Sequence, residues 1–106
     1  MAIAEVDLSG LEKTIGNRGT VLVDFWGPMC GPCRVLKPHL ERLADEHAGR
    51  ICFVAVNADK ETAAAERFRV TAVPTLILFR DGAEASRLAG PVLPSQVAAV
   101  LQPRGG

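Results

Sequence analysis

Residues Val21–Pro38 read VLVDFWGPMCGPCRVLKP, and the two halves of this stretch call for different backbones. Val21 to Trp26 is a short apolar run rich in β-branched and aromatic side chains, the pattern of a buried strand. Gly27 and Pro28 stop it. From Cys30 to His47 the spacing becomes helical, with Val35, Leu36, Leu40, Leu43 and Ala44 on one side. Pro38 lies inside that pattern and predicts a kink, and Gly49 predicts the end. Cys30-Gly31-Pro32-Cys33 therefore opens a helix just after a strand. Two thiols three residues apart on a first helical turn can bridge without moving the backbone. At that position unpaired N–H groups and the positive end of the helix dipole favour thiolate over thiol. A thiolate with a second thiol beside it is the minimal apparatus for making and breaking disulfides.

Outward from this stretch the elements alternate. Ile3 to Val6 predicts a short strand. Leu8, Leu11 and Ile15 have helical spacing, ended by Gly16-Asn17. Ile51 to Val56 predicts a second apolar strand, Glu61 to Phe68 a short helix, and Thr75 to Phe79 a third apolar strand. Asp81-Gly82 is a hairpin signal leading into Ala83 to Leu88. Pro94 to Leu101 closes the pattern as an amphipathic helix, with Val97, Val100 and Leu101 inward, and residues 103–106 are expected to fray. Alternation predicts parallel strands joined by crossover helices, and the Asp-Gly hairpin adds an antiparallel edge. The expected class is α/β, a mixed sheet with helices on both faces. Its working site should lie at the carboxyl ends of the strands, where Cys30 falls.

The 106 residues fit one domain, 1–106, and 48% hydrophobic residues suffice for a core. Twelve basic residues balance twelve acidic ones, so neither a nucleic-acid footprint nor a membrane-surface patch is expected. No segment approaches the ~20 apolar residues of a membrane span, and MAIAEVDLSG lacks the marks of a signal peptide. A cytoplasmic protein is expected. Three cysteines are an odd number, which argues against a disulfide-stapled scaffold.

The residues VDFW before CGPC, then Arg34, Pro38, Val73-Pro74 before Thr75, and Gly90 after the hairpin, resemble the thioredoxin family. The resemblance runs from about Ile3 to Leu101. It implies the thioredoxin fold, with a central sheet of four to five strands. It also implies a protein dithiol–disulfide oxidoreductase that needs no bound cofactor. Its partners would be disulfide-containing client proteins and a thioredoxin reductase or equivalent electron donor, and it would act as a monomer. The chain departs from the family pattern at three places. Met29 stands where tryptophan is usual before the first cysteine. Gly27 and Pro28 replace the usual small or acidic pair. Ala55 stands where many members carry a lysine facing the buried aspartate.

Under this resemblance Cys30 is the nucleophile and Cys33 the resolving thiol, with Gly31 and Pro32 setting the geometry between them. The alternative, a zinc half-site, requires further ligands at a spacing the sequence does not offer. Asp24 interrupts an apolar strand, so it is paired, protonated or functional. If buried, its pKa should be raised, and it would serve Cys33 as general acid/base through water. If strand alternation turns it outward, it is an ordinary surface charge. The Val73–Pro74 bond is cis in the family and faces the dithiol. It would leave the Val73 backbone free to pair with an extended substrate; the alternative is a plain turn proline. Trp26, Gly27, Pro28, Met29, Val73 and Gly90 would form an apolar docking surface around the thiols, although Trp26 also suits core packing.

Cys52 reads as a small buried hydrophobe. His39 lies nine residues from Cys30, about 13 Å along a helix, too far for a cysteine–histidine pair. It and His47 read as surface residues, and Glu41, Arg42, Asp45 and Glu46 as a solvated helix face. Two rivals remain: a disulfide oxidase or isomerase, and a non-catalytic binding module.

Overall fold

A computed structural model describes residues 3–17 and 19–102, so the expected fraying of 103–106 lies outside the described residues. Five strands and four helices follow in the order β1 (Ile3–Glu5), α1 (Leu8–Gly16), β2 (Thr20–Trp26), α2 (Gly31–Glu46), β3 (Ile51–Asn57), α3 (Thr62–Arg67), β4 (Thr75–Arg80), β5 (Ala83–Ala89) and α4 (Pro94–Val100). They form one mixed sheet in the order β1-β3-β2-β4-β5.

The parallel part is β1, β3 and β2. The sequence pattern placed antiparallel pairing only at the hairpin edge, but β4 already runs antiparallel to central β2. The connection between β3 and β4 explains the difference. Its helix, α3, is six residues, about 9 Å long, and the chain stays at the end of the sheet where β3 finishes. Thr75 therefore pairs with Phe25, at the carboxyl end of β2, and β4 runs the other way.

Each turn has a local cause. Asp7 caps α1 by accepting the Gly10 N–H at 2.8 Å. Gly49 has φ +84°, a region open to glycine, where the chain leaves α2 for β3. In the two-residue hairpin loop Asp81 and Gly82 both have positive φ, 51° and 88°, which matches the twist of β4 and β5.

The sheet separates two cores. Val21, Val23 and Phe25 of β2 meet Leu11 and Ile15 of α1 and Ala64 of α3 on one face. There Phe68 packs tilted on Phe25 and edge-on against Phe79, with centroids 6.3 and 5.7 Å apart. On the other face Leu22, Leu76 and Leu78 meet Leu36, Leu40 and Ala44 of α2 and Val97 of α4, with Leu101. Alternation thus turns Asp24, like Leu22, toward α2. Among the inward positions expected, Val35 is instead 71% exposed and Val100 half-buried. The buried stripe of α2 is Cys33, Leu36, Leu40 and Ala44, and Val35 lies about 100° round the helix from Leu36. Pro38 sits within α2, which continues to Glu46.

Candidate active site

The carboxyl end of β2 delivers the chain to the dithiol. After Trp26 the chain turns at buried Gly27, whose carbonyl accepts the Cys30 N–H at 3.2 Å. Cys30 is the N-cap of α2, with extended backbone (φ −101°, ψ 106°). Its Sγ accepts the backbone N–H of Cys33 at 3.1 Å. Sulfur thus stands where a capping oxygen would, and the same N–H would stabilise a thiolate once the disulfide opens. Pro32 sits in the first turn of α2, where its missing N–H costs nothing, and Gly31 beside it is exposed. Cys30 and Cys33 are joined as a disulfide, with Cα atoms 5.3 Å apart. Their surroundings differ: Cys30 is half-buried at the surface, and Cys33 is 7% exposed.

The expected neighbours gather at this end. A Cβ placed on Gly27 would meet Val73 Cγ2 at 3.4 Å and Cys30 Cβ at 3.8 Å, so Val73 and Cys30 both stand beside Gly27. The Val73–Pro74 bond is cis, and the buried Pro74 carbonyl accepts the Gly90 N–H at 3.0 Å. Gly90, with φ +81°, is tied beside Pro74 by that bond. Met29 is 88% exposed, an apolar side chain in water next to a reactive pair. The Arg34 guanidinium donates to the Pro28 carbonyl at 3.2 Å and braces the loop. Trp26 is half-buried, and its indole N–H donates to Glu5 Oε1 at 3.2 Å.

Behind the dithiol lies a cleft of 340 Å³ whose lining includes Asp24, Cys33, Trp26, Glu5, Lys37 and Ala55. Asp24 is not an outward surface charge. The residue is half-buried, but its Oδ1 is out of reach of solvent and has no hydrogen-bond partner among the described residues. Loss of hydration, reinforced by the Glu5 carboxylate, pushes its pKa up to about 7, and Lys37 pulls the other way. Ala55 is the direct register partner of Asp24 on β3, so no cation reaches the carboxyl from that strand.

Some readings change. Cys52 is exposed. It shares a strand face with Val54 and Val56, but it precedes the register where β1 begins to pair, at Ile3–Phe53, and the core ends before it. His39 and His47 are half-buried at the surface, and His47 Nδ1 accepts from Arg50 at 2.6 Å. Glu41 is half-buried and lines the cleft. Glu5 and Lys37 were not singled out from the sequence. Nothing local in the chain marks either residue, and only the packing of β1 and α2 around β2 brings them to the cleft of Asp24. A larger groove of 770 Å³ lies away from the dithiol, beside α1, α3 and the hairpin, and the Arg87 at its wall is already engaged by Glu84 and the Phe68 carbonyl. Among the described residues no group of three or more His, Cys, Asp or Glu is placed to hold a metal. None of the described helices is long and apolar enough to cross a membrane.

The family model described as Thioredoxin matches residues 3–102. The chain is similar to a thioredoxin of Pyropia yezoensis, 35% identical over 102 residues, covering 95% of each chain. It is similar to a thioredoxin of Staphylococcus haemolyticus, 38% identical over 90 residues, covering 85% of this chain and 86% of that one. Among solved structures it superposes on oxidised mitochondrial thioredoxin 3 of Saccharomyces cerevisiae with a TM-score of 0.86 at 27% identity, covering 93% of this chain and 92% of that one.

Proposed function

This chain belongs to the thioredoxin family and is a thiol–disulfide oxidoreductase that reduces protein disulfides, and on that premise we propose how its residues divide the work. Cys30 attacks first. The observation that carries this is the difference between the two sulfurs: Cys30 is reachable and capped by an N–H, while Cys33 is buried beside the Asp24 cleft.

The Cys30 thiolate attacks one sulfur of a client disulfide, forms a mixed disulfide, and expels the other client sulfur as a thiolate. Cys33 then loses its proton to the Asp24 carboxylate and attacks Cys30 Sγ. The second client thiolate leaves, and the Cys30–Cys33 disulfide remains. Two electrons pass from the dithiol to the client. A carboxyl with pKa about 7 is roughly half ionised at neutral pH, so it can both accept and return a proton. The cleft has room for a water, about 30 Å³, to carry that proton.

The client docks on Met29, Val73 and Gly90. Val73 makes no backbone hydrogen bond among the described residues, which leaves its amide groups open to an extended client segment. Trp26 holds Glu5 at the back of this surface. An electron-donating reductase restores the dithiol by the reverse exchange. The protein works as a monomer in the cytoplasm. The exposed free thiol of Cys52 suits a reducing compartment.

Cys33→Ser should accumulate a mixed disulfide with a disulfide-bearing client, released by dithiothreitol, whereas Cys30→Ser should trap none. Equal trapping by the two variants would overturn the assignment. Retention of the same partners after both cysteines become serine would favour a binding module.

A further inference from the structure

The cleft behind the dithiol carries more charge than the exchange reaction uses. The strands beside Asp24 contribute none: its register partners are Ala55 on β3 and Leu76 on β4. The charged groups that line the cleft with Asp24 come from β1 and α2, namely Glu5, Arg34, Lys37 and Glu41. Arg34 donates to the Pro28 carbonyl. Lys60, Asp7 and Glu61 line the next groove, beyond Trp26, which Asp24 does not reach.

Glu5 and Lys37 stand out by placement. The Trp26 indole N–H holds the Glu5 carboxylate at 3.2 Å, so this anion has a defined position at the cleft. Lys37 is four residues after Cys33 in α2, which puts its stem on the helix face of the resolving thiol. Both side chains also line the groove on the far side of Trp26, so they frame the cleft where it meets solvent.

We propose that Lys37 and Glu5 are opposed positioning residues that set the proton affinity of Asp24 and, through it, the pH at which Cys33 is activated. Lys37 supplies from helix α2 the cation that Ala55 cannot supply from β3. Glu5 works against it from β1. The second half of this proposal rests on the reading of Asp24 as the proton acceptor. Burial and Glu5 raise the Asp24 carboxyl while Lys37 lowers it, in agreement with the geometry. Both charged residues are solvent-exposed, so salt should weaken their influence.

The test is an NMR titration of the Asp24 side-chain carboxyl in the oxidised protein at low ionic strength, with the pH profile of disulfide reduction measured alongside. Lys37→Gln should move the carboxyl midpoint up and Glu5→Gln should move it down, each by about 0.2 to 0.7 of a pH unit. Lys37→Arg should restore the original midpoint. Gln at position 5 can still accept the indole N–H, so the loss is of charge alone. Midpoints that stay still, that move together, or that fail to separate Lys37→Arg from Lys37→Gln would overturn the proposal. A rate profile that ignores a shifted carboxyl midpoint would instead overturn Asp24 as the proton acceptor, and with it the link to Cys33.

Discussion

Asp24 sits between a hydration it has lost and a cation that only partly replaces it. Its folded pKa of about 7 lies above the ordinary 3.8. Well below pH 3.8 the carboxyl is protonated in both folded and unfolded chains. Between about 4 and 7 the unfolded chain releases the proton while the folded chain keeps it, so stability falls as pH rises through that window and levels off above it. The full difference is on the order of 4 kcal/mol. Chemical denaturation of Asp24→Asn at pH 5 and pH 8 should show most of this pH dependence gone, with the variant more stable than the parent at pH 8. A parental pH dependence retained by the variant would place its source elsewhere. The sequence identified Asp24 by one signal, a charge inside an apolar strand. It offered no such signal for Glu5 or Lys37, because an exposed charge on a strand or helix looks the same whatever stands across from it.

At the scale of elements, capping and turn chemistry set the boundaries. The Asp7 carboxylate accepts one of the unpaired N–H groups at the start of α1, so Asp7→Ala should cost about 1 kcal/mol in thermal or urea unfolding. Gly82 holds φ +88° in the hairpin, and any other residue there strains the backbone. Gly82→Ala should cost on the order of 1 kcal/mol, read as a lower denaturant midpoint at unchanged slope. Helix and strand existence was legible for every element, because periodicity and Gly or Asn-type stops are local. Direction was not. The chain re-enters the sheet at the end where β3 finishes, so β4 runs antiparallel to β2, and a count of alternating elements cannot see at which end a connection lands. Val35 shows the same limit within one helix. It is apolar and next to Leu36, yet it points to water while Cys33 takes a place in the buried stripe.

Across the whole molecule the sheet keeps two cores apart. Leu11 of α1 is fully buried on one face and Leu40 of α2 on the other. Leu11→Ala and Leu40→Ala should each cost about 2–5 kcal/mol. Because a sheet layer separates them, the double variant should lose the sum to within about 0.5 kcal/mol. A large departure from additivity in denaturant unfolding would mean that the two faces relax together. The layering also explains the asymmetry of the dithiol. Cys33 belongs to the buried stripe of α2 and faces the sheet, while Cys30, as the cap, belongs to the rim.

The sequence by itself determined the chemistry of this protein and the backbone type of each segment. Two thiols at a strand–helix junction, a charge in an apolar run and a proline before a strand act through neighbours a few residues away, and such spacing is written along the chain. The tertiary structure alone decided which way β4 runs, that Cys52 is exposed, and which charges gather around Asp24. Those outcomes depend on groups far apart in sequence, Glu5 on β1, Asp24 on β2 and Lys37 on α2, whose mutual distances exist only once the helices have packed on the sheet.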